Sequence, residues 1–222
     1  TQHRCGVNNV RSLANLSMLC GQIGRPCTGV NPLRGQNNVQ GACDMGGLPN
    51  YYPGYQFVDD EAVRLKFEAA WERPLSPARG LTAMEMMHGL QEGRLKAMII
   101  MGENPVVSDP DSGHVVKALS SAEFLLCIDI FPTPTTELAH MVLPGASFAE
   151  TDGTFTNSER RVQRVRQAIP PMAGRTNGQI IQALSRRLGY DMHHASASEV
   201  FDEICSLAPS MGGMSYARLE GE

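Results

Sequence analysis

Between residues 95 and 145, apolar runs and helical segments alternate in a regular rhythm. Leu95–Met101 and Phe124–Ile130 are continuous apolar runs, closed by Gly102-Glu103-Asn104-Pro105 and by Phe131-Pro132. A third run, Met141-Val142-Leu143, is closed by Pro144-Gly145. A helix over roughly Ser112–Ser120 separates the first two, and a short helical turn around Thr136–His140 precedes the third. Unbroken apolar runs alternating with helices predict strands buried on both faces of a parallel sheet. The fold class read from this pattern is α/β, with a doubly wound, mainly parallel sheet.

Helices flank this region. Val10, Leu13, Leu16 and Cys20 recur at helical spacing, predicting a helix over Val10–Gln22 with Asn8 or Asn9 as cap and Gly24 near its end. Asp60–Trp71 reads as a short helix and Pro74–Gly80 as a connector. Thr82-x-x-Glu85 is a capping box opening a helix to about Gly93. Thr176 or Asn177 caps a helix to Leu188, stopped by Gly189, and Ser196-x-x-Glu199 opens a last one to about Ala208. Glu159–Ile169 fits either a helix, by the spacing of Val162, Val165 and Ile169, or a strand. Gly21–Gly54 holds eight Gly and four Pro, yet also Leu33, Val39, Met45, Leu48, Tyr51 and Tyr52, with Tyr55 and Phe57 just beyond it. That mixture predicts an ordered loop wrapped around something rather than disorder.

Composition narrows the function classes. The 222 residues are 42% hydrophobic and 19% charged with a net charge of −4, so no basic surplus exists to displace counterions from nucleic acid. No apolar stretch approaches the roughly 18–20 residues of a membrane span, and no signal segment opens the chain. It starts at Thr1-Gln2-His3-Arg4 without an initiator Met, the mark of a processed chain or of a piece of something longer. Six scattered cysteines, at 5, 20, 27, 43, 127 and 205, form no Cys-x-x-Cys and no zinc-finger spacing. Reduced, mostly buried thiols in a cytoplasmic protein are expected. His193-His194 reads as a surface pair, Met84-Glu85-Met86-Met87 as core filler, and Arg160, Arg161, Arg164 and Arg166 as a solvated face or subunit contact, with a phosphate-bearing partner as the alternative.

Ligands of open parallel sheets bind beyond the carboxyl ends of the strands. Three such tips can be named: Gly102–Pro105, Asp129 and Pro144–Ser147. The first lets backbone approach a ligand and adds Asn104. The second places a carboxylate where a ribose hydroxyl pair could sit. The third offers the amides of a Gly-Ala-Ser turn to an anion. Neither Gly-x-Gly-x-x-Gly nor a triphosphate loop is present. Arg34, in Pro32-Leu33-Arg34-Gly35-Gln36, is either a surface arginine or a planar fork presented to a small anion.

The run Asn31-Pro32-Leu33-Arg34-Gly35-Gln36-Asn37-Asn38-Val39-Gln40-Gly41-Ala42-Cys43-Asp44-Met45-Gly46 closely resembles the molybdopterin-dependent formate dehydrogenase alpha subunits. The likeness extends through Leu48–Gln56, Met101–Pro105, Asp129–Phe131, Val142–Pro144 and Gly153–Gln163, over essentially the whole chain. That family converts formate to CO2, or the reverse, at a molybdenum or tungsten atom held by two pterin dithiolenes, with a Cys or selenocysteine ligand and an Fe–S cluster.

The resemblance implies that Arg34 orients formate and Gln36 contacts the pterin. Gly102, Glu103, Asn104 and Ser108 match the family's guanine-dinucleotide loop, and Ile128, Asp129, Gly145 and Asn177 match its later contacts. All are expected to converge on one metal-carrying ligand. Asn177 stands where the family often has an acidic residue, and Gly178 where it has a bulky aromatic. The metal-ligating Cys-His pair and the Fe–S cysteines are missing from these residues, so no metal ligand is assigned. The implied organisation is 1–35 as part of one α/β cofactor-binding domain, 36–174 as a second, dinucleotide-binding-like one, and 175–222 as a helical return to the first. Flanking helices thus come from a second α/β domain. The expected partners are formate, the remainder of the alpha subunit and NAD-linked electron-transfer subunits, and the isolated segment is expected to hold no cofactor. Another molybdopterin oxidoreductase, such as a nitrate reductase, and a non-catalytic nucleotide-binding or assembly module are the alternatives.

Overall fold

A computed structural model describes residues 3–221. The chain opens with α1 (Gly6–Leu19), which begins earlier and ends earlier than its apolar spacing predicts. Cys5 occupies the cap position but its side chain takes no helix amide, and Asn8 and Asn9 lie inside the helix. Its apolar stripe is left largely open by the described residues: Leu13 is 63% and Leu16 55% exposed.

Past an exposed stretch, the glycine-rich segment folds into α2 (Val39–Asp44) and a hairpin of β1 (Tyr51–Tyr52) and β2 (Gln56–Phe57). Next is α3 (Glu61–Trp71), which starts one residue later than read from the sequence because the Asp60 carboxylate caps it, accepting from the Ala62 and Val63 amides. The Thr82–Glu85 capping box forms and opens α4 (Ala83–Gln91).

The predicted parallel sheet follows: β3 (Ala97–Met101), β4 (Phe124–Asp129) and β5 (Met141–Pro144), in that spatial order and parallel throughout. A single turn, α5 (Pro105–Ser108), and α6 (Ser112–Ser120) join β3 to β4, and a 3₁₀ turn at Thr136–Leu138 leads into β5. Met98, Ile100, Leu125 and Cys127 pack against Met87 and Leu90 of α4 and Val115, Ala118 and Leu119 of α6. On the other face, Leu126, Ile128 and Leu143 meet Ile180 and Leu184 of α7 (Asn177–Arg187), the helix capped by Thr176. Only β4 is therefore buried on both faces. Outer strands read as buried from their apolar runs are half open: Ile99 is 58% exposed and Met141 48%. Each has a single neighbouring strand, and one helix covers only part of the second face.

An antiparallel hairpin, β6 (Gly153–Thr156) and β7 (Val162–Val165), settles the ambiguous Glu159–Ile169 region as strand. Its first strand carries no apolar alternation that would have announced it. The chain ends with α8 (Ala197–Leu207) and α9 (Tyr216–Glu220). Ser196 caps α8, but Glu199 reaches back one residue further than a capping box requires, accepting from Ala195.

Several side chains lie elsewhere than the sequence implied. Cys43 and Cys127 are buried, whereas Cys5, Cys20 and Cys27 are exposed. Met87 is core, but Met84 is 41% exposed. His194 is no surface residue: its Nε2 pairs with Glu203, whose other oxygen accepts from the Trp71 indole. Arg164 leaves the solvated face. Only 8% of its side chain is exposed; it holds Asp152 and Glu220 and lies 3.7 Å from the Tyr216 ring centre.

Candidate functional site

Two separate groups of the predicted residues emerge. The first is the row of sheet tips. Gly102 turns the chain at φ +64, where a side chain would be strained, and its amide donates to the Ile128 carbonyl at 2.9 Å. This bond ties the end of β3 to β4. Ile128 is 2% exposed, its side chain packed in the core, so only its backbone faces the tips. Asn104 caps α5 through its carbonyl, and its Oδ1 accepts from Thr135 Oγ1 at 2.7 Å. Thr135 Oγ1 in turn accepts from the Val106 amide at 3.2 Å. Thr135 is fully buried and holds the whole turn, and sequence reasoning missed it. Its signal was the hydroxyl cluster in Pro132-Thr133-Pro134-Thr135-Thr136, between two strands. Ser108 is exposed, its hydroxyl on Asp109. Glu103 is exposed and its carboxylate has no partner among the described residues.

Asp129 uses Oδ1 on the Ile130 amide at 2.7 Å, leaving Oδ2 without a partner among the described residues. Gly145 donates to the Asp129 carbonyl at 2.8 Å, and a Cβ there would lie 3.3 Å from Asn177 Oδ1 and from the Asp129 carbonyl carbon. Asn177 grips the backbone of Ala146 from both sides, its Oδ1 accepting from the amide at 2.8 Å and its Nδ2 donating to the carbonyl at 3.1 Å. The Gly-Ala-Ser turn was expected to offer its amides to an anion. All three are spent: Gly145 on Asp129, Ala146 on Asn177, and Ser147 on the Glu150 carboxylate at 2.7 Å. A buried amide already bonded inside the protein gains nothing from a phosphate. The tips thus present acceptors, the Glu103 and Asp129 oxygens, which suit hydroxyl and ring N–H donors.

The second group lies in a hollow of ≈ 1290 Å³. Arg34 and Gln36 line it from the glycine-rich segment, with Cys27 and Tyr55, and Thr156–Arg160 close it from the β6–β7 turn. None of the sheet-tip residues lines this hollow, so the expected convergence resolves into two places. Asn38 joins its two walls. Its backbone is left-handed at φ +57, a conformation that asparagine tolerates, and its Oδ1 accepts from the Thr156 amide at 3.0 Å. A Cβ on Gly41 would stand 2.1 Å from that oxygen. Gln40 bridges Asp44 and the Tyr55 hydroxyl, and burial pushes the Tyr55 phenol above its ordinary pKa. The Arg34 guanidinium has no partner among the described residues.

Among the described residues, no group of three or more His, Cys, Asp or Glu is placed to hold a metal ion, and no helix is long and apolar enough to cross a membrane.

Comparison with known proteins gives this geometry a context. The chain is 51% identical to the F420-dependent formate dehydrogenase subunit alpha of Methanocaldococcus jannaschii over 99% of its own length and 33% of that protein's. It is 44% identical to formate dehydrogenase H of Escherichia coli over 99% of the chain and 31% of the relative. It thus spans about a third of the length of these relatives. Acetylene hydratase from Pelobacter acetylenicus shares the fold at a TM-score of 0.53 and 19% identity, across 74% of this chain and 24% of that one. The family described as Molybdopterin oxidoreductase matches residues 1–187. On that match, the chain belongs to the molybdopterin oxidoreductase family.

Proposed function

We propose that this chain is the central portion of a formate dehydrogenase, in which formate is oxidised to CO2, a proton and two electrons, or the reverse. The observation that carries the reading is Arg34, a guanidinium without a partner among the described residues that lines a roomy hollow beside Gly35. A guanidinium matches a carboxylate in shape and charge. Formate is the smallest carboxylate, and relatives 51% and 44% identical over 99% of the chain are named for it.

The residues present fit part of a molybdopterin guanine dinucleotide. Glu103 and Asp129 offer carboxylate oxygens that are unengaged among the described residues to a nucleoside's hydroxyl and N–H donors. Gly102, Asn104 and Ser108 form the turn beside them, and Ile128, Gly145 and Asn177 fix its far side. Donors for the diphosphate come from elsewhere, since the Gly145–Ser147 amides are engaged. Gln36 lines the hollow next to Arg34 and is assigned to the pterin. An elongated dinucleotide with its pterin in the hollow and its nucleoside at the sheet tips accounts for two groups rather than one. When bound, its molybdenum or tungsten supplies the two-electron chemistry. Arg34 binds the carboxylate and sets its orientation toward that centre.

The metal ligand and the Fe–S cluster belong to parts of the longer protein outside these residues. The division into 1–35, 36–174 and 175–222 is part of the same proposal, with α7 of the last segment packing on the sheet of the second. Electrons pass to a partner subunit in the cytoplasm. NAD is the acceptor expected from the sequence, and F420 is the acceptor named for one relative, so both are assayed. Arg34→Ala in the whole enzyme is expected to lower formate turnover by roughly 10²-fold, the scale of losing a positioning contact, with metal content unchanged. Undiminished turnover would refute the assignment.

A further inference from the structure

We propose that Arg160 is a second anion-binding group of the same hollow, which captures the small carboxylate that Arg34 then orients. The inference rests on the formate reading and adds a residue to it. Arg34 and Arg160 line one hollow from two segments far apart in sequence. Neither guanidinium has an ion pair or hydrogen bond among the described residues. One acidic side chain, Glu159, lines the hollow as well, and its carboxylate is turned to Arg161 at 3.6 Å. The hollow is therefore left cationic within a chain whose net charge is −4. Such a local reversal of sign inside a concave surface concentrates anions there.

The backbone at Arg160 adds an independent argument. Its φ is +63, in the left-handed region that favours glycine. Asn157 enforces this conformation: its side-chain oxygen accepts from the Glu159 and Arg161 amides, both at 2.9 Å, and its carbonyl accepts from the Arg160 amide at 2.9 Å. A glycine would relieve the strain at no cost to the turn. An arginine held there against its preference, with a head group that bonds to nothing among the described residues, is the pattern of a residue kept for a ligand.

The test uses the whole enzyme with formate and an artificial electron acceptor, comparing Arg160→Gly and Arg160→Lys with the natural protein. Arg160→Gly suits the left-handed turn, so folding does not confound the result. Its KM for formate is expected to rise roughly tenfold, with the loss concentrated in KM rather than kcat, and the fall of kcat/KM with ionic strength becomes shallower. Arg160→Lys retains that ionic-strength dependence. A second readout needs no turnover: thermal melts of the cofactor-free protein should rise with added formate, and rise less in Arg160→Gly. An unchanged KM, salt dependence and melt response in Arg160→Gly would overturn the proposal, as would Arg160→Lys failing in the same way as Arg160→Gly. Turnover that survives Arg34→Ala would instead overturn the reading beneath it.

Discussion

Asn38 and Thr156 stand 118 residues apart and share one hydrogen bond, in which the Asn38 side-chain oxygen accepts from the Thr156 amide at 3.0 Å. That bond joins the segment carrying Arg34 to the hairpin carrying Arg160. Thr156 is 6% exposed, so little water can replace a lost acceptor.

Asn38→Gly keeps the left-handed backbone and deletes the acceptor. It is expected to cost about 1–3 kcal/mol, the penalty of a buried amide left unsatisfied. Gly41→Ala should do similar damage, because its new Cβ would meet the Asn38 side chain at 2.1 Å. The nearest atoms in that clash all belong to Asn38. Made on top of Asn38→Gly, the alanine no longer meets the Asn38 side chain and should stabilise α2 by about 0.5–1 kcal/mol, as alanine does over glycine in a helix. Denaturant melts of the two single variants and the double variant check this reversal of sign, and simple additivity would exclude the packing argument.

Thr135 is the hinge pin of the first sheet tip. Its hydroxyl donates to Asn104 Oδ1 and accepts from the Val106 amide, while its side chain sits fully buried. Thr135→Val keeps the shape and strands both partners. Stability should drop by about 1–3 kcal/mol, and hydrogen exchange at the Val106 amide should quicken. Thr135→Ser restores the hydroxyl and should recover most of the loss. A serine variant as weak as the valine would show that the methyl group, not the hydroxyl, matters here.

The sheet was legible because parallel strands leave a local signature, unbroken apolar runs, and helix ends leave another in their caps. Thr82, Thr176 and Ser196 all cap where their spacing says. The row of tips was legible for the same reason, since a strand's end is a local event. Chain-order reasoning could not see partners. The Gly-Ala-Ser amides look free until Asn177 arrives from 31 residues away to take the Ala146 amide. Arg164 looks like one of four solvated arginines until Glu220 reaches it from 56 residues away. The half-open strands misled in the opposite direction. Ile99 and Met141 have the apolar character of a buried position, yet the described residues leave them half open.

Glu150 gives the fold an acid-sensitive clasp. It is 6% exposed, and its two oxygens accept from the Met172 amide at 2.6 Å and the Ser147 amide at 2.7 Å. The bond from Met172, followed by those from Ser147, holds its carboxyl below the usual value of 4.5. Because the folded pKa is the lower one, the unfolded chain binds the proton more tightly. The clasp is therefore fully stabilising above pH 4.5 and is lost as pH falls through the folded value. Glu150→Gln has one oxygen where two are needed, and its NH2 group would face a backbone amide donor. The variant should melt below the natural protein at neutral pH. The gap should close as the solution is taken from pH 7 into the acid range below 4.5, where protonation costs the natural protein the same clasp. Melting temperatures of both proteins across that range decide the matter. Other carboxylates, Glu68, Glu85 and Glu220 among them, are also held low and shift both curves alike. A gap of constant size from neutral to acid would mean that the Glu150 charge plays no part in holding the turn to residues 168–172.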